Sequence, residues 1–99
     1  MRRIKEYAEH ITDELCGAKE YAEKYLYEKA KSNSQWASRY KEMAGDELKH
    51  AEYIHTFAVQ EIEMLEKSFE PPESMLEAWN KSHREYVEQA AWIRQMLSL

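Results

Sequence analysis

The sequence predicts an all-α protein: an antiparallel helical hairpin with a C-terminal helix, doubled by a second copy into a four-helix bundle. Three observations carry this expectation. Only two Gly and two Pro occur in 99 residues, too few for the turns of a β sandwich or a loop-rich fold. Apolar residues recur at alternating steps of three and four along nearly the whole chain, the period of an amphipathic helix. Two clusters of helix-breaking residues, Ser32-Asn33-Ser34 and Pro71-Pro72, divide the chain into three stretches. A chain of this length makes one domain, 1–99, with a modest core.

The first helix is expected over 2–31, where Ile4, Tyr7, Ile11, Leu15, Ala18, Tyr21, Ala22 and Tyr25 share one face. The polar cluster at 32–34 suits a helix end followed by an N-cap. A second helix is expected over 34–69, on a stripe of Trp36, Tyr40, Met43, Ala44, Ala51, Ile54, Ala58, Ile62 and Leu65. Pro71-Pro72 forces a break, because the residue before proline is pushed out of the α region. The third helix, 73–97, carries Leu76, Trp79, His83, Tyr86, Ala90, Ile93 and Leu97 without a missed step. Gly17 and Gly45 fall inside helices, away from any turn signal, and read as packing positions. At 1.5 Å per residue the first two helices run about 45–50 Å. One shorter helix covers such a hairpin only in part, so a second copy is the expected partner.

Composition narrows the function. Fourteen basic against nineteen acidic residues leave a net charge of −5, which disfavours a nucleic-acid backbone and suits cations. The single Cys16 excludes an internal disulfide framework and a Cys-rich zinc or iron–sulfur module. A lone reduced thiol and a charged start, Met1-Arg2-Arg3-Ile4, without an apolar signal core, point to a cytoplasmic protein. No apolar run approaches the roughly 18 residues of a membrane span.

The chemistry-bearing motif is Glu-x-x-His, present as Glu47-Leu48-Lys49-His50 and Glu52-Tyr53-Ile54-His55. With 17 Glu and four His in the chain, chance supplies about 0.7 such pairs at any one spacing, so facing direction must separate the two. At about 100° per residue, Glu47 falls in the centre of the second apolar stripe with His50 at its edge, whereas Glu52 looks toward water and His55 lies at the boundary. Glu14 is a second acid inside an apolar stripe, that of the first helix. A buried carboxylate must be protonated, paired or bound to a cation. Small residues flank both acids: Gly17 and Ala18 beside Glu14, Ala44 and Ala51 beside Glu47. One chain thus offers Glu14, Glu47 and His50, and a two-fold dimer doubles this to four carboxylates and two imidazoles. That is the donor set of ferritin-like di-iron sites, and oxygen and nitrogen donors without thiolate suit iron or manganese.

Asp13-Glu14-Leu15 followed by Tyr21, and Asp46-Glu47-Leu48-Lys49-His50-Ala51-Glu52, resemble two motifs of the encapsulated ferritins, the half-length members of the ferritin-like superfamily. The likeness covers the first two helices. It implies a ferroxidase that oxidises Fe(II) with dioxygen at a di-iron centre formed between two subunits, for iron storage or detoxification. Catalytic and metal ligands would be Glu14, Glu47 and His50, with two irons per dimer interface. Dimers would assemble into a ring working as cargo inside an encapsulin shell. Tyr21 and Tyr40 would hydrogen-bond around the ligands. Cys16 departs from the family's pattern, standing where a further acid is expected, and 92–99 reads as helix rather than a cargo-loading tail. The competing readings are a metal-free helical dimerisation or assembly adaptor, with Glu47 and His50 fixing bundle register, and a different di-metal carboxylate oxidase. Outside this set, His10 reads as a surface-edge residue, His83 as core or interface packing, and Glu61 as a salt-bridge partner at an interface.

Overall fold

The computed structural model describes residues 2–99, and among them it contains three helices and no strand: α1 (Arg2–Ala30), α2 (Ser34–Ser68) and α3 (Glu73–Ser98). The all-α expectation holds, with helix ends within one residue of those expected from the pattern. The molecule is a rod of 55 × 17 × 17 Å, as expected for helices of this length laid side by side.

The two connections are short and differ in chemistry. Between α1 and α2, Ser32 takes a positive φ of 61° and Asn33 sends its backbone N–H back to Glu28 O at 2.9 Å. The Asn33 side chain does not cap α2; its Nδ2 donates to Glu28 Oε2 at 2.9 Å. The polar cluster therefore closes the end of α1 rather than opening α2 with a side-chain cap. Between α2 and α3, the extended Phe69 donates its N–H to Leu65 O, and the two prolines end the helix. Pro72 then supplies the carbonyl that accepts from Met75 and Leu76 at the start of α3, and Glu73 sits in the first turn, where a negative charge favours the helix dipole.

Contacts across α1 and α2 fix an antiparallel register. Arg3 meets Glu61 at 2.7 Å, and Tyr21 stacks on Tyr40 with ring centroids 6.2 Å apart. Ala18, Ala22, Ala44, Ala51 and Ala58 are completely buried along this seam. Side chains this small let the two backbones approach closely. The third helix runs back along α1 and caps the core with Trp79, Ala90, Ile93 and Met96, against Ile4, Ile11 and Leu15. Near its end, the Lys29 ammonium donates to Leu99 O. No helix among the described residues is long and apolar enough to cross a membrane.

Two expectations need correcting. The apolar stripe of α2 is not buried as a unit but divides lengthwise. Ala37, Ala44, Leu48, Ala51, Ala58 and Ile62 are buried against the rest of the chain. Trp36 and Met43 of the expected stripe are exposed, at 57% and 39%, and so are Phe57 and Met64 beside it, at 49% and 64%. Those four positions, with His50 between them, fall seven residues apart, which keeps them on one line of the helix. The periodicity reports the total apolar width, which exceeds what α1 and α3 cover. Gly45 is a second correction: a Cβ placed there meets nothing within 4 Å, so no packing contact requires glycine.

Candidate metal centre

Glu14 lies at the middle of α1 and Glu47 at the middle of α2, and the antiparallel register sets them face to face. Each offers an oxygen, and His50 a ring nitrogen, with the three donor atoms all within 4.8 Å of one another. The three residues singled out from the sequence are thus brought together within one chain. Glu47 is half-buried at the border between the buried seam and the uncovered line of α2, rather than at the centre of a buried face. His50 sits one turn further, exposed, on the uncovered line.

The local chemistry follows from two acids held this close. The side chain of Glu14 is only 16% exposed. Its Oε2 is buried with no hydrogen-bond partner; His50 Nδ1 approaches it to 3.4 Å without meeting it in hydrogen-bond geometry. Two carboxylates cannot both ionise at this separation without cost. Glu47 is pushed above the usual carboxylate range, first by its hydrogen bond with Glu14, then by burial and by the Glu14 charge. Glu14 is held below it, first by the hydrogen bond from Glu47 and then, against the effect of burial, by His10 and His50. In the cation-free centre Glu47 is thus the acid that takes up a proton first and Glu14 the one that keeps its charge. A divalent cation among these donors would replace that proton and occupy the unpartnered Glu14 oxygen.

Gly17 makes the room. A Cβ at this position would stand 3.3 Å from Glu47 Oε2 and 3.5 Å from its Cδ. Glycine in mid-helix costs about 1 kcal/mol relative to Ala, and here the missing methyl is the space into which the Glu47 carboxyl fits.

Four neighbouring residues differ from expectation. His10, read as a surface-edge residue, reaches Glu14 Oε1 at 3.2 Å, its ring N–H donating to the carboxylate. The i, i+4 spacing of His10 and Glu14 was the signal that could have placed it there. Tyr21 and Tyr40 do not hydrogen-bond to the acids. They stack on each other, with the Lys24 ammonium 6.0 and 5.7 Å from their ring centroids, because ring packing across the seam satisfies them first. Glu61 pairs with Arg3 of the same chain, so its salt bridge lies within the chain. The second Glu-x-x-His divides as its facing direction implied: Glu52 is exposed and stands 3.7 Å from Arg94, and His55 turns toward α3. Cys16 is exposed and takes no part. Comparison with protein-family models, with curated proteins and with solved structures found no match to this chain.

Proposed function

We propose that the chain is a ferroxidase, oxidising Fe(II) to Fe(III) with dioxygen at a di-iron centre that two copies complete together. The observation that carries the reading is the convergence of Glu14, Glu47 and His50 within 4.8 Å, with one buried Glu14 oxygen left without a partner. Oxygen-rich donors with one imidazole suit iron or manganese, which bind hard oxygen and tolerate nitrogen.

Two copies supply what one lacks. Three donors are too few for a pair of metals, whereas a two-fold axis beside α2 gives four carboxylates and two imidazoles. The uncovered line of Trp36, Met43, Phe57 and Met64 runs on both sides of His50. An apolar line at this spacing is suited to burial against a second α2, which would close a four-helix bundle over the acids. Two Fe(II) would each give up one electron to dioxygen, which with protons would leave as peroxide from one pair of irons or as water after a second pair. Glu14 and Glu47 would offset the charge of the metals, and the Glu47 proton would be released when metal binds. The resemblance to encapsulated ferritins extends the reading to a ring of such dimers held in an encapsulin shell, for iron storage or detoxification in the cytoplasm.

One observation favours a second reading: the acid pair already faces two histidines, His10 at 3.2 Å from Glu14 Oε1 and His50 at 3.4 Å from Glu14 Oε2, and Glu47 is shifted toward its protonated form. Such a pair could fix helix register in a metal-free dimerisation or assembly adaptor. Anaerobic titration of metal-free protein with Fe(II), followed by size analysis and exposure to oxygen, separates the two. Saturation near one iron per chain, growth of the assembly and a ferric absorbance band support the ferroxidase. No saturable binding and an unchanged assembly overturn it in favour of the adaptor. Saturable binding without turnover when Fe(II) is the sole substrate favours a different di-metal carboxylate oxidase.

A further inference from the structure

Away from the acids, on the face where α3 meets α2, four rings pack together. His55 stacks on Tyr86 with centroids 4.6 Å apart and an interplanar angle of 17°. Trp79 lies 5.4 Å away on one side and His83 4.9 Å away on another. His55 Nε2 and His83 Nδ1 are 2.7 Å apart, a short hydrogen bond between two imidazoles. The geometry points to a pH-sensitive latch: the His55–His83 pair holds α3 against α2 while at least one ring is neutral, and releases it when both are protonated.

The chemistry of the contact dictates this threshold. With both rings neutral, one N–H donates and the other nitrogen accepts. One added proton is tolerated in this geometry, because a singly charged pair still sets one N–H against one nitrogen lone pair. A second proton leaves two N–H groups face to face at 2.7 Å with no acceptor, and two positive charges among aromatic rings. Titration of such a couple belongs to the pair rather than to either ring.

Among the described residues, neither ring forms a salt bridge. On α2, Glu52 is engaged with Arg94 of α3 at 3.7 Å, both exposed. On the α1 side, Glu9 and Asp13 line a groove with Lys81 and Glu85 of α3. Tyr86 faces His55 with its ring. His55 is held below its ordinary value, first by burial and then by the charge of His83. As pH falls, the unfolded chain therefore takes up a proton before the folded one does. The stability supplied by the neutral pair is whole above about pH 6.5 and is lost as pH drops through the titration of folded His55. α3 is held mainly along α1, where Ala90, Ile93 and Met96 are buried, so the loss falls on the turns of α3 around His83 and spares both its C-terminal half and the alanine seam of α1 and α2. The latch is independent of the metal reading.

The test is amide hydrogen exchange of the whole chain at pH 7.5 and pH 5.0, corrected for the intrinsic rate. Amides from Lys81 to Val87 should exchange at least tenfold faster at the lower pH, while those of the α1–α2 seam and of 90–94 change less than threefold. His83→Asn places an amide where Nδ1 was, keeps a donor to His55 and cannot charge; its α3 protection should change less than threefold. His55→Gln, which imitates Nε2, is the second non-titrating variant. Unchanged α3 protection in the natural chain, or an equal loss in the non-titrating variants, overturns the latch. Imidazole ¹⁵N spectra of the natural chain need no variant: two separated titration steps shared by both rings support it, and two independent steps at ordinary values refute it.

Discussion

Gly17 and Gly45 lie in the interiors of adjacent helices and form an internal control for the candidate centre. Gly→Ala within a helix stabilises by about 1 kcal/mol through backbone entropy. At Gly45 a new Cβ meets nothing within 4 Å, so Gly45→Ala should deliver the whole gain, raising Tm by roughly 4–8 °C for a domain of this size. At Gly17 the same methyl would stand 3.3, 3.5 and 3.7 Å from Oε2, Cδ and Cγ of Glu47. The nearest group is the free end of a flexible side chain, so the fold survives and the carboxyl moves by a few tenths of an ångström. Gly17→Ala should therefore stabilise less than Gly45→Ala, and it should misplace one donor. Displaced ligand support costs on the order of tenfold in metal affinity, about 1.4 kcal/mol. The assay is anaerobic Fe(II) titration beside thermal unfolding at matched protein concentration, since self-association would couple to Tm. In a Glu47→Ala background, Gly17→Ala should instead deliver the full thermal gain seen for Gly45→Ala, because the carboxyl that the methyl crowds is gone. Wild-type affinity in Gly17→Ala, or equal weakening in Gly45→Ala, would refute the account of Gly17 as space reserved for a carboxylate.

Other perturbations follow from the same geometry. Glu14→Ala, Glu47→Ala and His50→Ala should each abolish Fe(II) oxidation, because every change acts twice in a dimer, whereas Glu52→Ala and His55→Ala should leave it within about twofold; comparable loss in both groups would mean the facing assignment is wrong. Glu47→Gln retains a donor toward Glu14 and should hold metal-free stability within about 0.5 kcal/mol, yet bind no iron. Because the folded pKa of Glu47 is raised, its stabilising contribution is whole below the unfolded value and fades as pH rises through the folded one. Chemical unfolding of metal-free protein should show that decline, and Glu47→Gln should flatten it. Met43→Lys with Phe57→Lys charges an already exposed line, so helicity should persist while sedimentation shows dissociation to single chains; an undiminished assembly would place the interface elsewhere.

The sequence made some of this arrangement legible and hid the rest, for physical reasons. Helix ends were readable because Pro71-Pro72 and the polar cluster at 32–34 act locally, through φ restriction and backbone hydrogen bonding. Glu14 and Glu47 were readable because a carboxylate inside an apolar stripe needs compensation wherever the stripe points. The division of the α2 stripe into buried and uncovered halves was not readable, since helical periodicity gives the width of an apolar face and not its occupants. His10 reads as a surface-edge residue although its i, i+4 spacing to Glu14 is visible, because a histidine at the edge of a face can turn either to water or to the carboxylate one turn away. The His55–His83 contact joins residues 28 apart on different helices, and no pattern within either helix announces such a meeting.

The place of the acids along the hairpin bears on how the chain folds. Arg3 and Glu61 are separated by 58 residues, whereas Glu14 and Glu47 are near the midpoint of the two arms, and Tyr21 and Tyr40 are nearer the turn. Closing a shorter loop loses less entropy, so the hairpin can zip from the turn outward, reaching the acids before its open end. A cation held halfway would then act as a rivet, confining the outer arms and slowing their fraying, and the metal would leave its mark on the unfolding rate as well as on chemistry.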